Sequence, residues 1–277
     1  MPPSPAWGSR TYVMGILNLT PDSFSDGGRF NHPEAAERQT ALMLSQGADV
    51  IDLGGQSTRP GAAEISADEE MQRVVPILRS LVEALRPSGS SAALSIDTFR
   101  APVAEAALEA GAHWINDVSG GQRDPAILRV AANAGCPYVI THSRGHSRSM
   151  DALARYEDVV EDVRVELARA TEAALAAGIR RDRLIWDPGL GFAKTTSHNL
   201  ILLRGLPKLK AEGFPLLVGP SRKRFIGEVL GEPRPRARLW GTAAVCSQAI
   251  AAGADILRVH DVGPIVQTCR MSDALWR

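Results

Sequence analysis

Neither sign of charge is in excess in this chain: 31 Lys and Arg residues face 31 Asp and Glu residues among 277. That balance removes any general argument for nucleic-acid or membrane-surface binding and leaves function to local charge. Cysteine is scarce, and Cys136, Cys246 and Cys269 lie far apart inside apolar segments without metal-ligand spacing. They read as reduced core residues, which points to a reducing compartment: the cytoplasm, or the mitochondrion in a eukaryotic source. No apolar run is long enough to cross a bilayer, and Met1-Pro2-Pro3-Ser4-Pro5 has no secretory apolar region. No composition shift or low-complexity linker divides the chain, so a single domain over 10–277 is expected, with 1–9 as a flexible arm or linker remnant. Nor does a Gly-x-Gly-x-x-Gly follow the first apolar strand, which counts against an open doubly wound sheet.

What the chain does have is one repeated unit. Val13 to Leu17 is apolar, stops at Asn18 and gives way to a loop rich in Pro, Asp, Ser and Gly before a helical pattern resumes at Pro33. The same alternation recurs at Val50 to Leu53, Leu94 to Asp97, Trp114 to Asp117, Tyr138 to His142, Leu184 to Asp187, Leu216 to Gly219 and Ile256 to His260, each run followed by a helix. Eight such pairs are the number that closes a (β/α)8 TIM barrel. Short strands without alternating polarity suit a sheet covered on both faces. The helices are expected over Pro33 to Gln46, Ala67 to Leu85, Ala101 to Ala110, Ala126 to Ala134, Asp158 to Ala177, His198 to Lys210, Ala237 to Ala252 and Pro264 to Leu275.

The strand ends share a chemistry. Asn18, Gly54, Asp97, Asn116, His142, Asp187, Gly219, Arg258 and His260 are polar or glycine, and strand ends converge at the C-terminal mouth of such a barrel. Taken singly each is as well explained by a cap or a turn: Asp97 precedes a helix start, and Asp187-Pro188-Gly189 is turn chemistry. Taken together, Asp97, Asn116 and Asp187 suit a planar heterocycle with an amidine-like edge, with Val118, Phe192 and Gly219 as walls. Gly219-Pro220-Ser221-Arg222-Lys223-Arg224 sets three cations at a strand end, and Arg59, Arg258 and His260 add to the same mouth. A solvated charge run is the plain alternative. Backbone amides at a helix start beside such cations imply a phosphate ester or diphosphate. No protein-built metal cage is visible; Asn18 offers one oxygen to Mg²⁺, and His142 and His146 read as solvent-exposed.

From about Tyr12 to the last helix the chain resembles dihydropteroate synthases. The resemblance rests on Asn18 to Gly28, Gly54 to Gly61, Ser95-Ile96-Asp97-Thr98, Ile115-Asn116-Asp117, Asp187 to Phe192, Ser221-Arg222-Lys223 and Arg258-Val259-His260. It implies a cytoplasmic enzyme, dimeric and dependent on Mg²⁺, that joins a pterin diphosphate to 4-aminobenzoate. Asp97, Asn116, Asp187 and Lys223 match the family's pterin pocket; Asn18, Thr58, Arg258 and His260 match its diphosphate and Mg²⁺ positions. Phe24, Thr58, Arg59, Pro60 and Ser221 match the 4-aminobenzoate side, with Phe192, Gly219 and Val259 as further substrate contacts. Asp97, Lys223 and Arg258 are the expected catalytic residues. The absence of an insertion beside Pro60 implies sulfonamide sensitivity. Thr141 departs from the methionine of many bacterial relatives, a modest change in one wall of the pterin pocket, and Arg224 departs from their hydroxyl residue, which leaves the contacts to the 4-aminobenzoate carboxylate open. A corrinoid methyltransferase-like pterin barrel, a non-catalytic pterin-binding paralogue and a generic phosphate-binding barrel lyase, which would not require Asn116 and Asp187 together, are the competing readings.

Overall fold

The computed structural model describes residues 6–19, 33–57, 61–86 and 91–277. Eight parallel strands run β1 (Tyr12–Asn18), β2 (Val50–Gly54), β3 (Ala93–Asp97), β4 (Trp114–Asp117), β5 (Tyr138–Thr141), β6 (Leu184–Asp187), β7 (Leu217–Val218) and β8 (Ile256–Val259). Their order is β6-β5-β4-β3-β2-β1-β8-β7, and a parallel bridge between Trp186 and Leu216 joins the two ends into a barrel. The (β/α)8 architecture expected from the repeat is therefore the one observed.

Ten helices are described: α1 (Pro33–Ser45), α2 (Ala67–Leu85), α3 (Ala101–Glu109), α4 (Ala126–Ala134), α5 (Val159–Ala176), α6 (Thr196–Arg204), α7 (Leu206–Lys210), α8 (Arg224–Leu230), α9 (Leu239–Ala251) and α10 (Val262–Trp276). Their starts follow local chemistry. Ser66 accepts from the Glu69 N–H at 3.1 Å ahead of Asp68, Glu69 and Glu70 in the first turn of α2. Asp158 caps α5, and Thr195 with His198 forms a reciprocal capping box on α6.

Two expected boundaries differ. The helix read over His198 to Lys210 is broken into α6 and α7, because Gly205 packs so closely on Val160 that a Cβ would lie 2.5 Å from Val160 Cγ2, while Pro207 supplies no N–H. The basic segment after β7 folds its own short helix, α8, and the helix read from Ala237 begins instead as a 3-10 turn, Pro235–Arg238.

Inside the barrel, side chains alternate in and out with the strand period of two. The bottom layer takes one residue from each strand: Met14, Val50, Ala93, Trp114, Val139, Ile185, Leu217 and Ile256. Trp7, in the segment read as an arm, closes this layer from below, its ring 5.5 Å from Tyr12 and 6.4 Å from Trp114. Two residues further up, six strands turn polar, with Asp52, Ser95, Asn116, Thr141, Asp187 and Arg258 on the inward positions, while β1 offers Ile16 and the end of β7 offers Gly219. The apolar floor thus carries a polar mouth.

Outward-facing residues pack under the helices. Trp186 is buried there, stacked on Phe214 at 4.9 Å, and its indole N–H donates to Thr171 Oγ1 on α5 at 2.8 Å. All three cysteines are buried free thiols. Among the described residues no helix is long and apolar enough to cross a membrane. Thr171→Val leaves the indole donor unsatisfied in a dry site and is expected to cost about 1–3 kcal/mol in urea unfolding with an unchanged slope. A midpoint equal to that of the wild type would show that this bond does not hold α5 to the barrel.

Candidate active site

The rim is built by register. Asn18 pairs with Gly54, Gly54 with Asp97, and Asp97 with Asn116, so four consecutive strands bring these positions level; Thr141 pairs with Asp187 on the opposite side. Above them lies a cavity of about 940 Å³ lined by Asn18, Asp97, Phe192, Gly219, Ser221, Lys223, Arg258 and His260, among others.

Buried charge organises its floor. Asp52 Oδ2 accepts from Asn116 Nδ2 at 3.0 Å and from Arg258 Nε at 2.6 Å, while Arg258 Nη2 donates to Asp97 Oδ2 at 2.6 Å. One guanidinium therefore ties β8 to β2 and β3. Burial pulls the Arg258 pKa down, but Asp52 and Asp97 outweigh it and raise the pKa. Burial, reinforced by Asp52, pushes the Asp97 carboxyl up to about 7 against the pull of Arg258. Gly219 lies beside this arginine, where a Cβ would stand in ordinary contact at 3.7 Å from Arg258 Cβ.

Asp97 is not a helix cap, since the Arg100 N–H donates to Thr98 Oγ1 at 3.2 Å and the Ala101 N–H to Asp124 Oδ2 at 2.7 Å. Asp187 does form the turn, accepting from the Gly189 N–H at 2.8 Å. Burial raises its pKa, opposed by Lys223. Asn116 and Asp187 are buried on inward positions at the ends of β4 and β6. The Lys223 ammonium donates to the Leu190 carbonyl and stands 4.3 Å above the Phe192 ring. Burial brings its pKa down to about 8, opposed by Asp187. Ser221 Oγ lies 2.9 Å from His260 Nδ1 and accepts from the His260 N–H at 3.2 Å, which links the β7 loop to the end of β8.

Several expectations change. The three consecutive cations all border the cavity, but two of them are held by carboxylates of their own. Arg222, at φ +61°, is held by Asp261 at 3.0 and 2.5 Å, and Arg224 pairs with Asp151 at 3.0 Å. Two backbone amides just ahead of α8 are also engaged: Arg222 N–H donates to Thr242 Oγ1 at 3.3 Å and Lys223 N–H to the Pro220 carbonyl at 3.2 Å. Val259 lies between two inward residues, so its side chain is buried under the helices rather than in the cavity. Val118 lines a neighbouring recess together with Phe192. His142 is buried, not solvent-exposed, its Nε2 3.0 Å from Glu166; His146 is exposed. Phe24, Thr58, Arg59 and Pro60 lie outside the described residues. Asp52 was overlooked, although stepping back two residues from Gly54 along the strand finds it.

A planar ring with paired acceptors and donors on its edge, and an anion beside it, is what this mouth can hold. The family described as "Pterin binding enzyme" matches residues 14–260. A dihydropteroate synthase of Synechocystis sp. is 51% identical, covering 98% of this chain and 92% of its own. Dihydropteroate synthase of Yersinia pestis, solved as a sulfonamide drug complex, superposes with a TM-score of 0.90 at 42% identity, covering 96% of this chain and 94% of that one. The Xanthomonas albilineans enzyme with 4-aminobenzoic acid gives 0.87 at 42%, covering 96% and 93%. The chain belongs to the pterin-binding enzyme family. Its activity within that family is that of the dihydropteroate synthases, transferases of folate synthesis, which sets aside the methyltransferase, non-catalytic and lyase readings.

A carboxyl whose folded pKa lies above its unfolded value adds stability below the unfolded pKa and loses it as pH rises through the folded one. The wild type is therefore expected to lose more unfolding free energy than Asp97→Asn between pH 4 and its upper limb at about 7. Equal losses in urea titrations would return the Asp97 carboxyl to its ordinary range.

Proposed function

We propose that the mouth residues divide the work of the family reaction, in which (7,8-dihydropterin-6-yl)methyl diphosphate and 4-aminobenzoate give 7,8-dihydropteroate and diphosphate. The observation that carries this division is the chain of Asp52, Arg258 and Asp97 beneath the cavity, with Lys223 over Phe192 on its wall. Asp187 and Asn116 take the amidine-like edge of the pterin, and Phe192 and Lys223 flank its faces.

The bond that breaks joins the exocyclic methylene to a diphosphate oxygen, which keeps the electron pair. The pterin spreads the resulting positive charge, and Asp97 faces it as a carboxylate above its pKa of about 7. Arg258 and His260 stand on the side of the leaving diphosphate. The 4-aminobenzoate nitrogen then attacks the methylene and loses one proton, a step that needs no strong base once the cation exists. Ser221 borders the 4-aminobenzoate side, a role that the family resemblance also gives to Phe24, Thr58, Arg59 and Pro60.

Asn18 fits a Mg²⁺ role of limited extent. A Cβ on Gly54 would lie 3.5 Å from Asp97 Oδ2 and 3.8 Å from Asn18 Oδ1, so the missing side chain keeps a gap between two oxygens. Among the described residues no three His, Cys, Asp or Glu form a metal cage. This suits an ion that takes one amide oxygen and fills its shell with water and substrate phosphate. When bound, Mg²⁺ supplies charge neutralisation on the diphosphate.

The neighbouring helices α6, α8 and α9 leave Ile201, Val229, Leu230 and Trp240 exposed, Trp240 by 79%. This apolar face supports a homodimer as the working form. The buried free thiols support a reducing, cytoplasmic-type compartment.

Diphosphate release is expected to require both substrates and Mg²⁺, to fall by about 100-fold or more in Asp97→Ala and Lys223→Ala, and to be inhibited by sulfonamides competing with 4-aminobenzoate. Wild-type rates in both folded variants would overturn the residue roles. In sedimentation velocity the wild type is expected at twice the chain mass, and Trp240→Glu at a lower mass. A wild-type monomer, or an unaltered dimer in the variant, would remove this face from consideration.

A further inference from the structure

Lys194 is buried and lies outside the mechanism given above, yet it borders the cavity. Its Nζ is 3.0 Å from the Gly189 carbonyl, 3.0 Å from the Phe192 carbonyl and 2.9 Å from His142 Nδ1. Three acceptors use the three N–H bonds of an ammonium, so the geometry calls for the charged form even though burial presses its pKa well down. His142 agrees with that assignment. Its Nε2 faces Glu166 at 3.0 Å and carries the proton, leaving the Nδ1 lone pair for Lys194. Burial and then the Lys194 charge keep this imidazole neutral, its pKa down to about 4. Glu166 is in turn held by Arg144 at 3.1 and 3.2 Å.

The loop fastened this way is the one that makes the cavity wall. Lys194 holds the carbonyls of Gly189 and Phe192 from behind, and Lys223 holds that of Leu190 from the front. Gly191 lets the Lys223 stem pass: a Cβ would sit 2.8 Å from Lys223 Cδ. Gly189, at φ +66°, would place a Cβ 1.9 Å from the His142 carbonyl oxygen, so strand β5 and this loop touch backbone to backbone. Asp187 at one end and Phe192 at the other depend on that arrangement.

We propose that Lys194 is a positioning residue of the pterin site, its buried ammonium fixing the loop 187–192 so that Asp187 and Phe192 meet the pterin ring in register. This rests on the roles given to those two residues above. Lys194→Met keeps the stem and removes the donors. Its KM for the pterin diphosphate is expected to rise about tenfold or more, with kcat and the KM for 4-aminobenzoate changed by less than about threefold. Calorimetric binding of pterin-6-carboxylic acid is expected to weaken by the same factor. His142→Phe, which retains the volume but not the acceptor, is expected to shift the pterin KM in the same direction by less, and it decides the matter if Lys194→Met does not fold. Wild-type pterin affinity in Lys194→Met, or equal losses for both substrates, would reduce Lys194 to a packing element. Undiminished pterin binding in Asp187→Ala would instead overturn the site reading itself.

Discussion

A single guanidinium shared between two carboxylates underlies the geometry of the mouth. Arg258 reaches Asp52 and Asp97 at 2.6 Å each, and through Asp52 it is connected to Asn116. Taking three charges out of water is costly, and hydrophobic residues of the same volume would serve stability as well or better. What the arrangement gives instead is fixed direction. Strands β2, β3 and β8 cannot shift relative to one another without leaving a charge unpaired, and Asp97 stays aimed into the cavity.

The same logic runs through the loop after β6. Its carbonyls are met from two sides by lysines, and its glycines permit contacts that no side chain would allow. Floor and wall are thus both positioned by buried ionic groups, while the lower half of the barrel is apolar and closed by Trp7. The division follows the strand period: the residues that seal the bottom and those that line the mouth are two or four positions apart on the same strands.

Much of this was legible in the residues alone. The eight apolar runs predicted the barrel, and their polar ends located Asp97, Asn116, Asp187 and Arg258 on one rim. Less legible were features set by contacts between elements. Asp52 sits inside an apolar run and is revealed only by pairing strand parity with closure. His142 looked exposed because its loop is rich in Gly, Ser and Arg, yet Glu166 from α5 and Lys194 from the next loop enclose it. The divergence of Arg222, Lys223 and Arg224 depends on a left-handed residue and on Asp261 and Asp151, none of which a run of like charges discloses.

That divergence bears on how an anionic substrate arrives. With Arg222 and Arg224 already neutralised by their own carboxylates, long-range attraction toward the cavity falls on fewer uncompensated charges than the count of arginines implies. The pull on an anion then comes from cations such as Lys223 and Arg238, which line the cavity and donate to backbone carbonyls, and added salt screens that remaining charge.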